Sequence, residues 1–567
     1  MPAWCRRLIR PEAGFFLLCW LGLMCAFQAR AFNDPGALWH VRVGELILDH
    51  GFMTTDPFTY TFAGRTWIPQ QWGGEVLMAL AHRAAGLDAM LLGFATGVAG
   101  LFTWIFSRTV RNGVHPALAG LFVGGAGVVA AFHFYARPHM FTIVGMAVTA
   151  AAIVDYERGR ASAWRLWWLI PFNVLWTNIH GGVLGGVLTL GMAVAGWGIL
   201  FLLKPRDGRP WALHTPITSW RSAFLLVAVV AACGLTPFVN PFGMEMLRTW
   251  QKIVGSDAMK ELVSEHQPLS LSLTPGRVVV GFAAFYLFAL LGTLPKWPRV
   301  SWLLPLVWFA LSLKGIRQGP LFVVVGAIML ADLWPHTVWH RLLKKHGDSL
   351  ARDPETSPRS WGWAAVAAAF TLVVFAVQLT GITAPVVGRG WAKLSPQYVP
   401  VELADDLRTA TAGRRLFNDA NLGGFVIYHA PGVPVFMDDR FELYGDPWIR
   451  EYVAVVYDHP ERFDGWTDEY KFDLALVANL PGDDRLPLEK YLSESPRWVV
   501  LSRCERGVLF RRCHGRKEHR RAAGATNEPP RTSTTCPPRS ASCASPAISR
   551  ATRSWSACTP RGVRCTC

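Results

Sequence analysis

The sequence predicts a polytopic α-helical membrane protein with a small α/β domain near its C-terminal end. Of the 567 residues, 51% are hydrophobic and only 17% are charged, against about 25% charged residues in typical soluble domains. Apolar runs of about 17–25 residues recur along the chain, and each is long enough to cross a hydrocarbon core of roughly 30 Å. After residue 394 the composition becomes that of an ordinary soluble domain.

The membrane domain is expected to cover residues 1–394, with about eleven spans and a first outer loop over residues 32–86. Arg6, Arg7 and Arg10 precede the first apolar run, which predicts a cytoplasmic N-terminus. Residues 74–85 are too short and too charged for a span, so we expect an interfacial helix there. The predicted spans are 14–31, 87–106, 116–134, 138–155, 164–179, 181–203, 221–238, 277–294, 300–313, 318–334 and 362–384.

The loops assigned to the cytoplasm carry most of the loop Lys and Arg, as the positive-inside rule requires. Loops on the other side are very short or mixed in charge. The net charge of +16 thus reflects membrane topology and a basic C-terminal tail, and we predict no nucleic-acid partner. The cytoplasmic cations are Arg108, Arg111, Arg158, Arg160, Arg165, Lys204, Arg206, Arg209, Lys296, Arg299, Arg341, Lys344, Lys345, Arg352 and Arg359.

Residues 395–512 read as a small soluble α/β domain. Short apolar runs (RRLFND, VPVFMDD, FDLALVANL, RWVVLS and GVLFRR) alternate with helical stretches, a pattern typical of strands and helices packed in layers. An odd number of spans puts this domain on the outer side with the first loop. In a bacterial inner membrane that side is the periplasm.

Residues 513–567 differ from the rest of the chain. They are rich in Arg, Ser, Pro, Thr and Cys, with few acids and no periodicity, so they cannot bury a core. We interpret them as the product of a shifted reading frame or as a disordered tail. None of the cysteines in the chain shows convincing zinc-site spacing, and no metal ligands are assigned.

Several polar residues gather on the predicted outer face. Ionisable groups near membrane depth are costly and usually serve a site. An acid among several cations and histidines suits an anionic lipid headgroup held beside a general base. The candidate catalytic residue is Asp34, and the candidate substrate-binding residues are Arg137, His139, His180, Lys314, Arg317 and His40.

These residue types support one reaction. Arg and Lys would hold the phosphate of a polyprenyl-phosphate sugar and stabilise the charge that grows on the departing phosphate. A carboxylate would accept the proton of the attacking hydroxyl. The apolar bundle would receive the lipid tail.

Each candidate also has a structural interpretation. Asp34 precedes Pro35 and could cap the following helix, while Lys314 and Arg317 could extend to lipid headgroups. His139 and His180 could be ligands for phosphate or a metal, or buried histidines satisfied by the bundle. His40 could approach Asp34, or it could lie on the solvated face of a short amphipathic helix.

The run DPGALWHVRVGELILDHGFMTTDPFTYTFAGRTWIPQQWGGEVL resembles the first outer loop of bacterial multi-spanning proteins related to the GT-C glycosyltransferases. Those proteins include the protein mannosyltransferase and lipid A aminoarabinose transferase groups. ARPHMFT, LWTNIHGG, IRQGPLF and LFNDANLGGFVIYHAPGVPVFMDDRFELYGD resemble segments of an uncharacterised branch of that superfamily. The resemblance covers residues 10–512.

The resemblance implies a GT-C-like fold, a catalytic or metal-associated acid at Asp34, and polyprenyl-phosphate sugar donors. Many GT-C loops carry two adjacent acids, whereas Asn33 precedes Asp34 here. A divalent metal therefore stays open as a cofactor, and none is certain.

The leading hypothesis is a membrane glycosyltransferase that moves a hexosyl or pentosyl group to an envelope acceptor at the outer face of the inner membrane. The acceptor is left open among a glycan, a lipid and a protein. The alternatives are a transporter or flippase for a lipid-linked substrate, and a non-catalytic envelope assembly protein. A transporter would favour internal repeats, and the sequence shows no convincing repeat.

Overall fold

The computed structural model describes residues 10–203, 215–346, 362–479 and 485–513. The chain divides into two compact units. The first comprises Met1–Pro57 and Ala63–Ser395, and the second comprises Phe58–Phe62 and Pro396–Cys567. Arg6, Arg7, Lys204, Arg206, Arg209, Arg352 and Arg359, which the sequence assigned to the cytoplasm, lie outside the described residues, as do residues 514–567 of the predicted tail 513–567.

The described part of the first unit is built from helices. They are α1 Pro11–Ala26, α2 Pro35–His50, α3 Trp72–Arg111, α4 Pro116–Ala130, α5 Met140–Glu157, α6 Ala163–Trp167, α7 Leu169–Ile179, α8 Val183–Leu202, α9 Trp220–Leu235, α10 Met244–Gly255, α11 Asp257–Leu262, α12 Thr274–Leu291, α13 Val300–Lys314, α14 Gly319–Leu333, α15 Val338–Lys345 and α16 Gly362–Leu379.

Within the described ranges, eight helices are long and apolar enough to cross a membrane. The other three predicted spans correspond to the shorter helices α1, α7 and α13. The fold is therefore that of a multi-span helical membrane protein, and the number of eleven spans stays a prediction. The eight helices are Trp72–Arg111, Pro116–His133, Met140–Glu157, Val183–Leu202, Trp220–Phe238, Thr274–Leu291, Ile316–His336 and Gly362–Leu379.

The burial of these helices separates a core from an apolar outer surface. In α14 almost every residue is buried, as expected for a helix that is hydrophobic all round and packed inside a bundle. By contrast, α4 and α16 are equally apolar but leave large side chains such as Leu121 and Leu372 exposed. Exposed apolar surface of this extent matches a lipid environment.

The helix α3 contains two segments that were predicted as separate elements, an interfacial helix and a membrane span. Its 40 residues are interrupted at Ala85 and Gly86, which leave helical geometry. Gly86 has φ +66°, a left-handed conformation that favours glycine. The interfacial helix expected over residues 74–85 is thus the first part of α3, and the span expected over 87–106 lies in the second part.

The described part of the second unit contains a four-stranded mixed sheet. Its strands are β1 Leu416–Asn418, β2 Leu474–Ala478, β3 Trp498–Arg503 and β4 Gly507–Arg512. Their order is β1-β2-β4-β3, with β1 parallel to β2 and the other neighbours antiparallel. The helices are α17 Ala404–Ala410, α18 Ala420–His429, α19 Phe441–Tyr444, α20 Asp446–Val453, α21 Phe463–Tyr470 and α22 Pro487–Glu494.

The prediction of a strand at VPVFMDD is wrong. This segment instead pairs with a residue that is distant in the sequence. Only Val435 in this segment forms a bridge, a parallel one with Thr59 of the Phe58–Phe62 segment. The N–H of Val435 donates to the carbonyl of Phe58 at 2.9 Å, and the N–H of Tyr60 donates back at 3.2 Å. Five residues of the first predicted loop are therefore an integral part of the second unit.

We expect Tyr60→Ala to destabilise the second unit. The Tyr60 hydroxyl donates to the carbonyl of Leu416 in β1 at 3.0 Å, and the ring packs against Phe436. Loss of both contacts should cost about 2–4 kcal/mol. Tryptic cleavage of residues 396–513 during thermal denaturation of the full chain would measure this effect. Tyr60→Phe, which removes only the hydroxyl, should cost about 1 kcal/mol, and equal resistance of wild type and Tyr60→Ala would contradict the assignment.

Candidate functional site

Eight polar side chains meet at one end of the first unit, and we call them the Asp34 cluster. Four of them lie at helix ends: Asp34 before α2, His139 before α5, His180 after α7, and Arg317 in the 3-10 turn before α14. Helix ends present unpaired backbone groups and carry side chains into loops. The cluster comprises Asp34, His133, Arg137, His139, His180, Glu265, His266 and Arg317.

The central contact is an ion pair between Asp34 and Arg137. Arg137 Nη1 donates to Asp34 Oδ1 at 2.7 Å, and these side chains are 22% and 10% exposed. The same carboxylate oxygen accepts from the N–H of Gly36 at 2.8 Å, so Asp34 also caps α2. The capping interpretation of Asp34 therefore holds alongside a contact with the predicted phosphate-binding arginine.

His180 has a defined tautomer. Its Nδ1 accepts from the N–H of Gly182 at 3.0 Å and lies 2.8 Å from the hydroxyl of Thr142. That hydroxyl accepts from Trp176 Nε1 at 3.0 Å, which leaves its own hydrogen for His180. Burial, followed by the nearby positive and imidazole groups, lowers the pKa of His180 well below its ordinary value. The neutral ring therefore carries its hydrogen on Nε2 and can donate from there.

His139 connects two other imidazoles of the cluster. Its Nε2 lies 3.0 Å from the carbonyl oxygen of His133, to which a protonated Nε2 can donate. Its ring centroid lies 4.6 Å from that of His133 and 6.4 Å from that of His180. The predicted residues His139 and His180 are thus neighbours, and His133 joins them.

Glu265 and His266 enter the cluster from the 3-10 turn Ser264–His266, which follows α11. Glu265 Oε1 lies 3.8 Å from His133 Nδ1. Burial and then the negative charge of Asp34 raise the pKa of Glu265. Arg317 Nη1 donates to His266 Nε2 at 2.5 Å. The arginine predicted to bind phosphate therefore has an imidazole partner.

Lowering the pH from 7 to 5 is expected to destabilise the first unit. Burial, followed by the charge of Arg317, lowers the pKa of His266 to about 4, whereas an unfolded imidazole titrates near 6.5. Between these values the imidazole of His266 binds more protons in the unfolded chain, so falling pH favours unfolding, and this one group contributes at most about 1.4 kcal/mol per pH unit. Apparent melting temperatures at pH 7, 6 and 5 would measure the slope.

In that measurement, His266→Gln should flatten the pH dependence because glutamine still accepts from Arg317 but does not titrate. His50→Gln, at an exposed helix end, is the matched control and should leave the slope unchanged. An unaltered slope in His266→Gln would contradict this explanation.

His40 and Lys314 do not join the Asp34 cluster. His40 is fully buried, and its Nδ1 lies 2.8 Å from Oε1 of Glu75, which is also buried. Neither the approach to Asp34 nor the solvated face considered for His40 is what the structure shows. Lys314 is exposed at the end of α13 and forms no ion pair or hydrogen bond with a described residue, which fits its interpretation as a cation that extends to headgroups.

The motif WGGE at the start of α3 packs against the turns that carry Arg137 and His180. Trp72 Nε1 donates to Asn178 Oδ1 at 2.8 Å. A Cβ at Gly74 would lie 2.6 Å from Pro138, too close for any other residue without a shift. The start of α3 therefore sets the spacing of two turns of the Asp34 cluster.

The opposite ends of α5 and α14 carry a second polar group, the Asp155 cluster. Asp155 accepts a bidentate contact from Arg108, at 3.0 and 2.7 Å, and a further hydrogen bond from Arg160. Arg160 also donates to Asp332 at 2.7 Å. Glu157 accepts from the N–H groups of Val300 and Ser301 and so caps α13. Cations that the sequence assigned to topology thus also tie helices together.

The residues present do not fit the divalent metal that the resemblance left open. Asp34 Oδ1 is engaged by Gly36 and Arg137. Over the described ranges, no group of three or more His, Cys, Asp or Glu side chains could hold a metal ion. No step proposed below runs through a metal.

Sequence reasoning missed His133, Glu265 and His266. A signal existed for the first, because FHFYARPH carries one histidine on each side of the arginine. SEHQP, which contains Glu265 and His266, gave no such signal, because its loop has the mixed charge expected of a segment at the membrane surface.

The fold defines the class of this chain as a multi-span helical membrane protein with a small C-terminal α/β unit. No protein-family model matches the chain, and no curated protein matches its sequence.

Proposed function

We propose that this chain is a GT-C-like membrane glycosyltransferase that moves a sugar from a polyprenyl-phosphate donor to an envelope acceptor at the outer face of a bacterial inner membrane. The observation that carries the proposal is the Asp34–Arg137 ion pair at one end of an apolar helix bundle. This pair combines a carboxylate that can take a proton with a guanidinium suited to phosphate.

The reaction breaks the bond between the anomeric carbon and the phosphate oxygen. The acceptor hydroxyl attacks the anomeric carbon, its proton passes to the Asp34 carboxylate, and polyprenyl phosphate leaves with the bonding electron pair. A donor phosphate oxygen competes with Asp34 for Arg137, and the displaced carboxylate then becomes available as the base. Arg137 stabilises the second negative charge that develops on the leaving phosphate.

The charge balance of the Asp34 cluster supports an anionic donor. Arg137 and Arg317 contribute two positive charges, and Asp34 contributes one negative charge. Burial and the negative charge of Asp34 raise the pKa of Glu265, which disfavours a second negative charge in the cluster. Two guanidinium groups beside Asp34 suit the phosphodiester of a polyprenyl-phosphate sugar.

An apolar cavity beside the cluster supports a lipid-linked donor. Its volume is about 190 Å³, and Phe134 and Met140, which line it, flank Arg137 in sequence. The remaining lining residues are all apolar and come from α3 and α5. Such a cavity suits hydrocarbon and offers no polar partner.

Chain connectivity supports a shared compartment for the first loop and the C-terminal unit. Phe58–Phe62 belongs to the second unit, while the residues before and after it belong to the first. The proposal accordingly assigns the α2–α3 loop and the second unit to the same side of the membrane. Eleven spans with a cytoplasmic N-terminus would make that side the periplasm.

The proposal is tested with purified protein in liposomes that contain a radiolabelled polyprenyl-phosphate sugar and an envelope extract as the acceptor source. A transferase moves the label from the lipid to the acceptor fraction. A flippase moves the intact donor between leaflets with no loss of label from the lipid, and an assembly protein does neither. Label that remains entirely on the lipid with every donor would reject the proposal.

A further inference from the structure

The short helix α15 follows one membrane-spanning helix, α14, and is attached to the last turn of another, α12. The N–H of Val338 donates to the carbonyl of Gly292 at 2.6 Å, and Trp339 Nε1 donates to the carbonyl of Phe288 at 3.1 Å. The Trp339 ring also stacks on the Phe288 ring, with the centroids 4.3 Å apart. The start of α15 therefore lies at the same depth in the bundle as the end of α12.

The end of α12 belongs to the lipid-facing surface. Phe288 and Leu291 in its last turn are exposed, and so are Leu294 and Trp297 in the loop that follows. Exposed apolar side chains on a helix bundle match lipid, and tryptophan is enriched where the hydrocarbon meets the headgroups. The end of α12 therefore marks the membrane interface, and α15 lies in that interface.

The helix α15 has a buried side and a basic outer side. His340 is buried against the bundle. Arg341, Lys344 and Lys345 are exposed, and their spacing of three and four residues places them on one face of the helix. Leu342, next to them, is also exposed. A basic helix with an exposed apolar residue is typical of helices that lie in the plane of a membrane surface.

The sequence around α15 contains almost no acidic residue. Between residues 291 and 346 the one acid is Asp332, which is buried. The helix α10 differs in this respect, because its exposed cations Arg248 and Lys252 both pair with Glu245 on the same helix. The outer face of α15 is thus strongly basic, whereas that of α10 is mixed in charge, and only the first is complementary to a negatively charged surface.

We propose that α15 is an interfacial helix that binds anionic phospholipids of the adjacent leaflet, with Arg341, Lys344 and Lys345 at the lipid phosphates and Leu342 at the edge of the acyl chains. Each cation close to an anionic membrane surface should strengthen this contact by about fivefold. The position of α15 at the interface favours a lipid over a soluble phosphate. This surface goes beyond the proposed transfer reaction, and its test needs no sugar donor.

The test measures amide hydrogen exchange of the full chain in nanodiscs of phosphatidylcholine alone and in nanodiscs with an equal part of phosphatidylglycerol. Relative to α10, which serves as the internal control, residues 341–346 should exchange at least about fivefold more slowly with the anionic lipid. Glycerol phosphate added to the phosphatidylcholine nanodiscs should have no effect.

Three results would overturn the proposal. Equal slowing in α10 and α15 would show a general effect of the anionic surface. No slowing in α15 would show that another group, such as the carboxylates of Asp348, Asp353 and Glu355 that follow it in the sequence, already occupies the cations. Slowing by glycerol phosphate would indicate a site for soluble phosphate instead of a lipid surface.

The triple variant Arg341→Gln, Lys344→Gln and Lys345→Gln should lose the response of α15 to phosphatidylglycerol. Glutamine is a good helix former, so α15 should still form. The matched control, Arg248→Gln with Lys252→Gln on α10, should respond like wild type, and a wild-type response in the triple variant would contradict the assignment. Should the triple variant fail to fold, salt decides, because about 0.5 M salt should screen the contact and remove the wild-type response, and a response that persists would contradict the proposal.

Discussion

Asp34→Asn is expected to lower sugar transfer by about 10²–10⁴-fold, the usual contribution of a general base. Asparagine keeps an oxygen that can accept from Gly36 and cap α2, so the helix should stay in place while the proton acceptor is lost. The fall should appear in kcat with little change in donor binding. The measurement is initial transfer rate against donor concentration in proteoliposomes.

The matched control for this variant is Asp49→Asn. Asp49 lies at the other end of α2 and also pairs with an arginine, Arg83, at 2.6 Å, but it is 52% exposed. Loss of an exposed ion pair should cost at most about 1 kcal/mol, and transfer should stay near the wild-type rate. Equal rates for Asp34→Asn and wild type would remove Asp34 as the base, and an equal loss in both variants would point to a general effect on α2.

Glu75→Ala is expected to have the largest effect on stability. Its carboxylate and the imidazole of His40 form a pair that is almost completely excluded from solvent between α2 and α3. Removing one member leaves a buried polar group uncompensated and should cost about 3–5 kcal/mol. The temperature at which the solubilised protein loses its folded monodisperse form would record the change.

Two further variants serve as controls for the Glu75 prediction. Glu45→Ala removes an acid from α2 that is 15% exposed and pairs with the partly exposed Arg42 and His82. Because water still reaches this pair, the loss should cost less than that of Glu75. The double variant His40→Leu with Glu75→Leu replaces the buried pair by apolar side chains and should recover most of the loss. A Glu75→Ala protein as stable as Glu45→Ala would show that the buried pair contributes nothing.

The helices of the first unit were predictable because a long apolar run has few stable solutions in lipid. Backbone groups in hydrocarbon must pair within the segment, and the helix does this locally. The capping of α2 was also local, since Asp34 stands directly before Pro35. The break in α3 was marked only by Gly86, which hydropathy does not register.

Which residues form the Asp34 cluster was harder to predict, because the cluster depends on contacts between residues that are distant in the sequence. Asp34 and Arg137 are 103 positions apart, and only their common assignment to one face brought them together. His40 shows the limit of prediction from sequence. Helical periodicity indicates on which face of α2 a residue lies, but it does not identify the residue that packs against that face. Glu75 covers that face, and a short helix assigned to solvent is therefore partly core.

The second unit shows the same limit for strands. VPVFM has the composition of a buried strand, and Val435, Phe436 and Met437 are buried. Yet Val435 pairs with Thr59 from the first loop, and the segment does not join the sheet. The composition of a segment predicts that it will be buried and paired with another segment. It does not identify a partner that lies hundreds of residues away in the chain.

The most direct test of the proposed reaction is the release of polyprenyl phosphate, followed by mass spectrometry in proteoliposomes supplied with donor and acceptor. Release should require donor in the leaflet that faces the α2–α3 loop, should proceed with wild type and Asp49→Asn, and should fall at least about 100-fold with Asp34→Asn. Donor that stays intact with wild type, or release at the wild-type rate from Asp34→Asn, would contradict the account.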